Sequence, residues 1–342
     1  MKLGTLIART KYHLKNGTLT NIALQKLFET SLKGLVNTAP YNAIYSRAIK
    51  SKAKKLTSPT WITFETNTTC NSNCIMCPRS SLTRKLAFMD MTVFKTIVDK
   101  LAEVKSIKQI CLNGFGEPLL DPYIFERVDY IKSKMDVPVM FFTNGSMLKR
   151  RAEELLNSKV DEINISFNGT EKEYNKVMRT LDFKETRDGI LYFINERKRL
   201  GKTTPRVYMS CVYVSPDFDK EQFKKDWEGI VDSIFLMPAE RWGDIEQDKD
   251  IPFVPQPYKE KSWACRRIWD NMWISCEGNV HLCCHDYDGK YIMGDLRTQS
   301  IDEIWNSERF KKIRQMHLDG NFSLPICKGC GALLRNSVLW WG

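Results

Sequence analysis

The sequence predicts an α/β protein: an incomplete parallel (β/α)6 barrel followed by a small, cysteine-rich C-terminal domain. Three observations carry that expectation. From residue 61 onward, β-branched and aromatic runs alternate with amphipathic stretches in a regular beat, as parallel strands joined by crossover helices do. Small, polar and glycine-bearing segments fall just past the strand-like runs, where a barrel of this type gathers its chemistry. Six of the eleven cysteines then crowd between residues 265 and 330, after the alternation has stopped.

Taken in order, residues 1–60 form a basic leader. Eleven lysines and arginines stand there against the single acid Glu29, a local +10 out of a net +11, so the remaining chain is nearly neutral. Leu24, Leu27, Phe28, Leu32 and Leu35 fall near helical spacing, and Tyr41, Ile44, Tyr45, Ala48 and Ile49 repeat the pattern after Pro40, which predicts two short amphipathic helices. These either dock on an anionic membrane surface or acidic carrier, or pack on the barrel with their lysines solvated. No nucleic-acid module accompanies the charge.

Strands are expected at about 61–66, 108–113, 137–142, 161–166, 206–214 and 231–237, and helices at about 90–104, 122–134, 147–157, 183–200 and 219–228. Six strands rather than eight make the barrel, over 61–240, a partial one. A proline-bearing connection over 241–262 leads to the C-terminal domain, 263–342. At 42% hydrophobic and 27% charged residues the chain has the composition of a soluble protein. No apolar run approaches the roughly 18 residues of a membrane span, and the N-terminus has no export-signal core. Many cysteines without such a signal point to the reducing cytoplasm, where thiols serve metals.

The stretch Cys70-Asn-Ser-Asn-Cys74-Ile-Met-Cys77 follows the first strand directly. Three such thiolates are one ligand short of a tetrahedral zinc site. An iron–sulfur cube held at three irons leaves the fourth open to a small molecule. The spacing resembles the cluster loop of the radical S-adenosylmethionine (radical SAM) enzymes, whose fold is a partial TIM-like barrel. That resemblance implies Cys70, Cys74 and Cys77 as ligands of a 4Fe-4S cluster whose open iron binds S-adenosyl-L-methionine (SAM). Met76 stands where the family usually has an aromatic residue, and its soft side chain suits packing near the adenine.

The resemblance extends to later strand ends. Gly114, Gly116, Glu117 and Pro118 resemble the family's Gly-Gly-Glu-Pro segment, which receives the SAM amino group; glycines let a backbone come close. Thr143, Asn144, Ser166 and Asn168 suit hydrogen bonds to the ribose and the methionine carboxylate, or serve as turn residues. Arg179 is an expected partner for that carboxylate, or a solvated helix end.

The tail resembles the SPASM-type extension of the same family, through Cys265, Cys276-Glu-Gly-Asn-Val-His-Leu-Cys-Cys284, Ser300-Ile-Asp-Glu-Ile-Trp and Cys327-Lys-Gly-Cys330. The implied ligands of one auxiliary 4Fe-4S cluster are Cys265, Cys283, Cys327 and Cys330. Cys284 is the alternative to Cys283, since adjacent strand residues face opposite ways; a zinc ribbon is the rival account. Trp263, Trp269, Trp273, Trp305, Trp340 and Trp341 either line a cleft or form the core of the small domain. Cys111 and Cys211 read as buried strand thiols, with Cys211 and Cys276 candidate hydrogen donors to a substrate radical.

The expected function is reductive cleavage of SAM to a 5′-deoxyadenosyl radical that abstracts hydrogen, oxidising or epimerising a carbohydrate-like or other hydroxylated small molecule. The expected electron donor is a flavodoxin or ferredoxin. Modification of a peptide or protein is the alternative within the same chemistry. The alternative outside it is a non-enzymatic zinc or iron–sulfur protein contacting nucleic acid or a partner.

Overall fold

A computed structural model describes residues 39–239, 242, 264–328 and 330. The predicted helix over 24–35, Trp263, Trp340, Trp341 and nearly all of the 241–262 connection lie outside these residues. Helix α1 (Ala39–Ala53) begins around Pro40, as the sequence predicts, and buries Ile49 and Ala53 in the main core while Arg47, Lys50, Lys52, Lys54 and Lys55 are exposed.

The six predicted strands all form: β1 (Trp61–Phe64), β2 (Gln109–Leu112), β3 (Val139–Thr143), β4 (Glu162–Ser166), β5 (Arg206–Tyr213) and β6 (Ser233–Pro238). Between them run α2 (Met91–Ala102), α3 (Ile124–Lys134), α4 (Ala152–Asn157), a short α5 (Tyr174–Met178), α6 (Phe183–Arg199) and α7 (Lys220–Trp227). Sequence signals explain their ends. Asp90, Asp182 and Asp219 cap α2, α6 and α7 by accepting backbone N–H bonds from the first turn. The expected helix over 147–157 starts later, at Ala152, after a run of turns.

Strand residues alternate between two faces. Phe64, Leu112, Phe141, Ile165, Met209 and Cys211 belong to one core with Phe94, Ile97, Val128, Ile190 and Phe223 of the helices. The opposite face carries Thr63, Cys111, Asn164, Ser166, Tyr208 and Ser210 by the two-residue strand period.

Beyond the expected pattern, a seventh parallel strand is present. The order is β6-β5-β4-β3-β2-β1-β7-β8-β9, one nine-stranded sheet. Strand β7 (Asn271–Ile274), introduced by α8 (Arg267–Asp270), pairs parallel with β1 in the register Trp61↔Asn271 to Phe64↔Ile274. Antiparallel β8 (Asn279–His281) and β9 (Ile292–Asp295) complete it, and α9 (Ile301–Trp305) and α10 (Glu308–Leu318) follow. The C-terminal region thus continues the barrel sheet instead of packing beside it. Trp269, Trp273 and Trp305 are all buried in it.

Candidate active site

Past β1 the chain stays buried through Glu65, Thr66, Asn67 and Thr68 before it reaches Cys70. Neighbouring strand-end loops hold the cysteine loop from several sides. Asn71 accepts from Asn144 Nδ2 at 2.8 Å through its side chain and from Thr180 Oγ1 at 2.7 Å through its carbonyl. Ile75 N–H donates to Val177 O at 3.0 Å, and Arg79 Nη2 donates to Ser72 O at 3.1 Å. Ser72 is the hub: its N–H donates to Cys70 Sγ, and its hydroxyl lies 3.0 Å from Cys74 Sγ while donating to Met178 O.

Cys70, Cys74 and Cys77 form no disulfide. Burial pushes each thiol up to about 11, and each feels a neighbour: Cys74 acts on Cys70, Cys77 on Cys74, and Cys70 on Cys77. Three half-buried thiols that each raise a neighbour stay protonated at neutral pH unless a cation is present to take them as thiolates. This donor set fits a cluster bound through three sulfurs.

The remaining predicted residues divide. Ser166 stands half-buried at the end of β4, and Asn144 touches the cysteine loop with its amide 3.9 Å from Cys70 Sγ. Asn168 Oδ1 accepts from Val212 N at 2.8 Å and its amide lies 3.3 Å from Met178 Sδ, so it ties β4 to β5 and to α5. Arg179 is exposed and takes φ +58°, a strained backbone for an arginine. Met76 is half-buried, and its carbonyl accepts from Trp242 Nε1 at 2.9 Å.

Packing gives other expected residues structural partners. A Cβ on Gly116 would sit 2.0 Å from Asn67 Oδ1, and one on Gly114 would sit 2.3 Å from Glu65 Cγ, so both positions need glycine for the chain leaving β1 to pass. Glu117 is buried, and Thr143 Oγ1, Asn144 N and Leu119 N all donate to it at 2.6–3.1 Å. Its carboxylate therefore orders the β2 and β3 loops, and the Thr143 hydroxyl is spent on it. Burial pushes Glu117 up to about 6 against these hydrogen bonds. Cys211 is buried in the core between sheet and helices.

Cys276, just past β7, is buried beside residues that no sequence motif flagged. Arg84 reaches both oxygens of Glu65, donates to Tyr287 O at 2.7 Å, and has Glu277 at 3.6 Å and Cys276 Sγ at 3.9 Å. Glu65, Cys276 and Glu277 have the spacing of a metal site, but this guanidinium already supplies their positive charge. Phe115, Trp242, Trp273 and Tyr287 cluster next to it, partly under Arg84.

A second set of thiols surrounds the approach to β7. Burial pushes Cys283 well up, with contributions from Cys284, Cys265, Cys330 and Cys327. Cys265, Cys327 and Cys330 pack together with Phe322, whereas Cys284 packs with the Phe115 aromatic group. The set that fits a four-thiolate cluster is thus Cys265, Cys283, Cys327 and Cys330. Two histidines border it, with His285 Nδ1 at 3.4 Å from Cys330 Sγ and His317 Nε2 at 3.5 Å from Cys327 Sγ. The Trp242 ring lies against His285, with centroids 4.6 Å apart and 35° between planes, and so sits between the two thiol sets.

Comparison with known proteins agrees with this layout. The radical SAM superfamily matches residues 64–210, and the SPASM iron–sulfur cluster-binding domain matches residues 265–331. The S-adenosyl-L-methionine-dependent 2-deoxy-scyllo-inosamine dehydrogenase of Niallia circulans is 26% identical over 276 residues, spanning 79% of this chain and 91% of that protein. The structure of BtrN in complex with AdoMet and 2-DOIA has a TM-score of 0.54 at 20% identity, over 80% of this chain and 92% of that one. Streptococcus suis SuiB bound to its precursor peptide SuiA has a TM-score of 0.61 at 15% identity, over 93% and 83%. At these identities the two structures share its fold.

Proposed function

Because the chain belongs to the radical SAM superfamily and carries a SPASM iron–sulfur domain, we propose that this enzyme oxidises an alcohol carbon of a hydroxylated, carbohydrate-like small molecule. The observation that carries the reading is the loop past β1 with three thiols that form no disulfide and act electrostatically on one another. Cys70, Cys74 and Cys77 would hold the SAM-binding 4Fe-4S cluster, and Cys265, Cys283, Cys327 and Cys330 the auxiliary one. When bound, the first cluster and SAM supply an electron and hydrogen-atom abstraction.

The chain's own residues position and shield. Glu117 fixes the Asn144 backbone, and the Asn144 amide bears on Asn71 of the cysteine loop. Asn144, Ser166 and Asn168 are the proposed hydrogen-bonding partners of SAM, with Arg179 for its carboxylate. Phe115, Trp242, Trp273 and Tyr287 form an apolar wall that excludes water from a reactive radical. On the polar face, Asn164 and Ser210 offer the groups that a substrate rich in hydroxyls requires.

Turning an alcohol into a carbonyl removes two electrons and two protons. One of each would leave as the abstracted hydrogen atom, and the second proton passes to solvent. The remaining electron needs an acceptor, a role that a cluster held by the second thiol set would suit. The inosamine dehydrogenase relative supports an alcohol substrate, as its similarity spans nearly its whole length. The peptide-bound structure resembles this chain in fold, at lower identity. The exposed basic residues of α1 would attract an acidic electron donor such as a flavodoxin or ferredoxin. Among the described residues no helix is long and apolar enough to cross a membrane.

The test is anaerobic incubation with SAM, dithionite and carbon-deuterated aminocyclitols and sugars. Deuterium is expected in 5′-deoxyadenosine with the native protein and none with Cys74→Ala. Transfer from a peptide alone would reverse the substrate assignment, and 5′-deoxyadenosine formed equally by Cys74→Ala would remove the first thiol set from the chemistry.

A further inference from the structure

His317 is buried in the last turn of α10, with its ring wedged by Phe322 (centroids 5.0 Å apart, 83° between planes) and Trp269 (6.5 Å, 66°). Its two nitrogens face different cysteines. Nδ1 accepts the backbone N–H of Cys265 at 3.2 Å, and Nε2 lies 3.5 Å from Cys327 Sγ. A backbone amide can only donate, so Nδ1 must present a lone pair. The single proton of the neutral imidazole is then on Nε2, directed at the sulfur.

From this geometry we propose that His317 is a fixed N–H donor to the Cys327 sulfur and thereby raises the reduction potential of the auxiliary cluster. The proposal rests on Cys327 being a ligand of that cluster, as argued above. A hydrogen bond to a ligand sulfur favours the reduced state, which carries one more negative charge, over the oxidised one. The same tautomer excludes His317 as an iron ligand. Ligation through Nε2 would move the proton to Nδ1, against the Cys265 N–H.

The test uses the full chain with its iron restored anaerobically, titrated with dithionite while the auxiliary-cluster signal is followed by electron paramagnetic resonance. His317→Phe is expected to lower the midpoint by about 59 mV, a tenfold change in the reduced-to-oxidised ratio of a one-electron couple. His317→Gln, whose amide can accept at one atom and donate at the other, is expected to restore most of the shift. An unchanged midpoint in a His317→Phe protein that keeps both clusters overturns the proposal.

A measurement that keeps His317 in place stands if its variants do not fold. With 15N-histidine labelling of a His285→Gln protein, which removes the other imidazole beside these thiols, the reduced auxiliary cluster should show a weak nitrogen coupling together with an exchangeable proton coupling. Nitrogen coupling of directly bonded strength, or no coupling at all, overturns the proposal. Iron for only one cluster in the unsubstituted protein instead overturns the auxiliary-cluster reading beneath it.

Discussion

The Arg84 guanidinium holds both carboxylate oxygens of Glu65 at 2.6 Å, and the Glu65 side chain has no exposed surface. Burial pushes the Glu65 carboxyl upward, and Arg84 acts against that shift. The pair also joins distant parts of the chain, because Phe115 N and Cys276 N donate to Glu65 while Arg84 reaches Tyr287 O. Removing one partner leaves a buried charge unmatched, so Arg84→Met is expected to cost about 3–5 kcal/mol. Urea unfolding checks this, and Arg84→Met combined with Glu65→Gln should recover part of the loss.

Glu117 makes a pH prediction of the less common sign for a carboxyl. Its folded value of about 6 lies above the ordinary 4.5, so the folded state holds the proton more tightly than the unfolded chain. The stability from this group is fully present below pH 4.5, declines as pH rises toward 6 and is lost above it. The change amounts to about 2 kcal/mol. Urea midpoints of the metal-free protein should show native stability falling by that much relative to Glu117→Gln between pH 4 and pH 7. A difference between the two proteins that is independent of pH would refute it.

Gly116→Ala places a methyl group 2.4 Å from the Asn67 backbone oxygen, which has no rotamer with which to yield. The expected cost is about 3 kcal/mol, with loss of iron from the first thiol set, since Asn67 leads into that loop. Gly189→Ala in α6 is the control. Its methyl would meet only Lys149, at 3.6 Å or more, so helix propensity should make it neutral or stabilising by up to about 1 kcal/mol. Thermal unfolding and iron analysis of both proteins separate the two cases.

Iron analysis also tests the assignment of the adjacent cysteines. Native protein reconstituted with iron and sulfide should carry about eight irons per chain for two 4Fe-4S clusters. Cys283→Ala is expected to reduce this to about half, and Cys284→Ala to leave it intact, because Cys284 packs with the aromatic group. Equal losses in the two variants would mean that the thiols of this turn are not divided in that way.

Much of the fold is legible in the sequence, and physics says which parts. Strands buried on one or both faces need unbroken β-branched and aromatic runs such as Trp61-Ile-Thr-Phe64, and helices such as α2 need an apolar stripe and a cap such as Asp90. The cysteine sets stand out because thiol spacing is local. Strand β7 is not legible: it lies among the cysteines of the tail, after the strand–helix alternation has stopped, and its partner β1 lies 210 positions earlier. Glu65 and Arg84 escape for the same reason, since an acid at the end of a strand run and an arginine in a loop carry no sign that they meet. Glu117 and the two glycines are visible as a motif, but their role depends on Asn67, Thr143 and Asn144, which only the folded chain brings to them.

The pairing of Trp61–Phe64 with Asn271–Ile274 also bears on how the protein can be taken apart. An iron-binding tail fastened by an ordinary tether could be exchanged between enzymes like a cassette. Here the graft would have to carry a strand that matches its host's first one residue for residue, or the host would be left with a raw edge. Chimeras joined within 241–262 should therefore work only between parents whose first strands are interchangeable, and a chain nicked there should still hold its two fragments together.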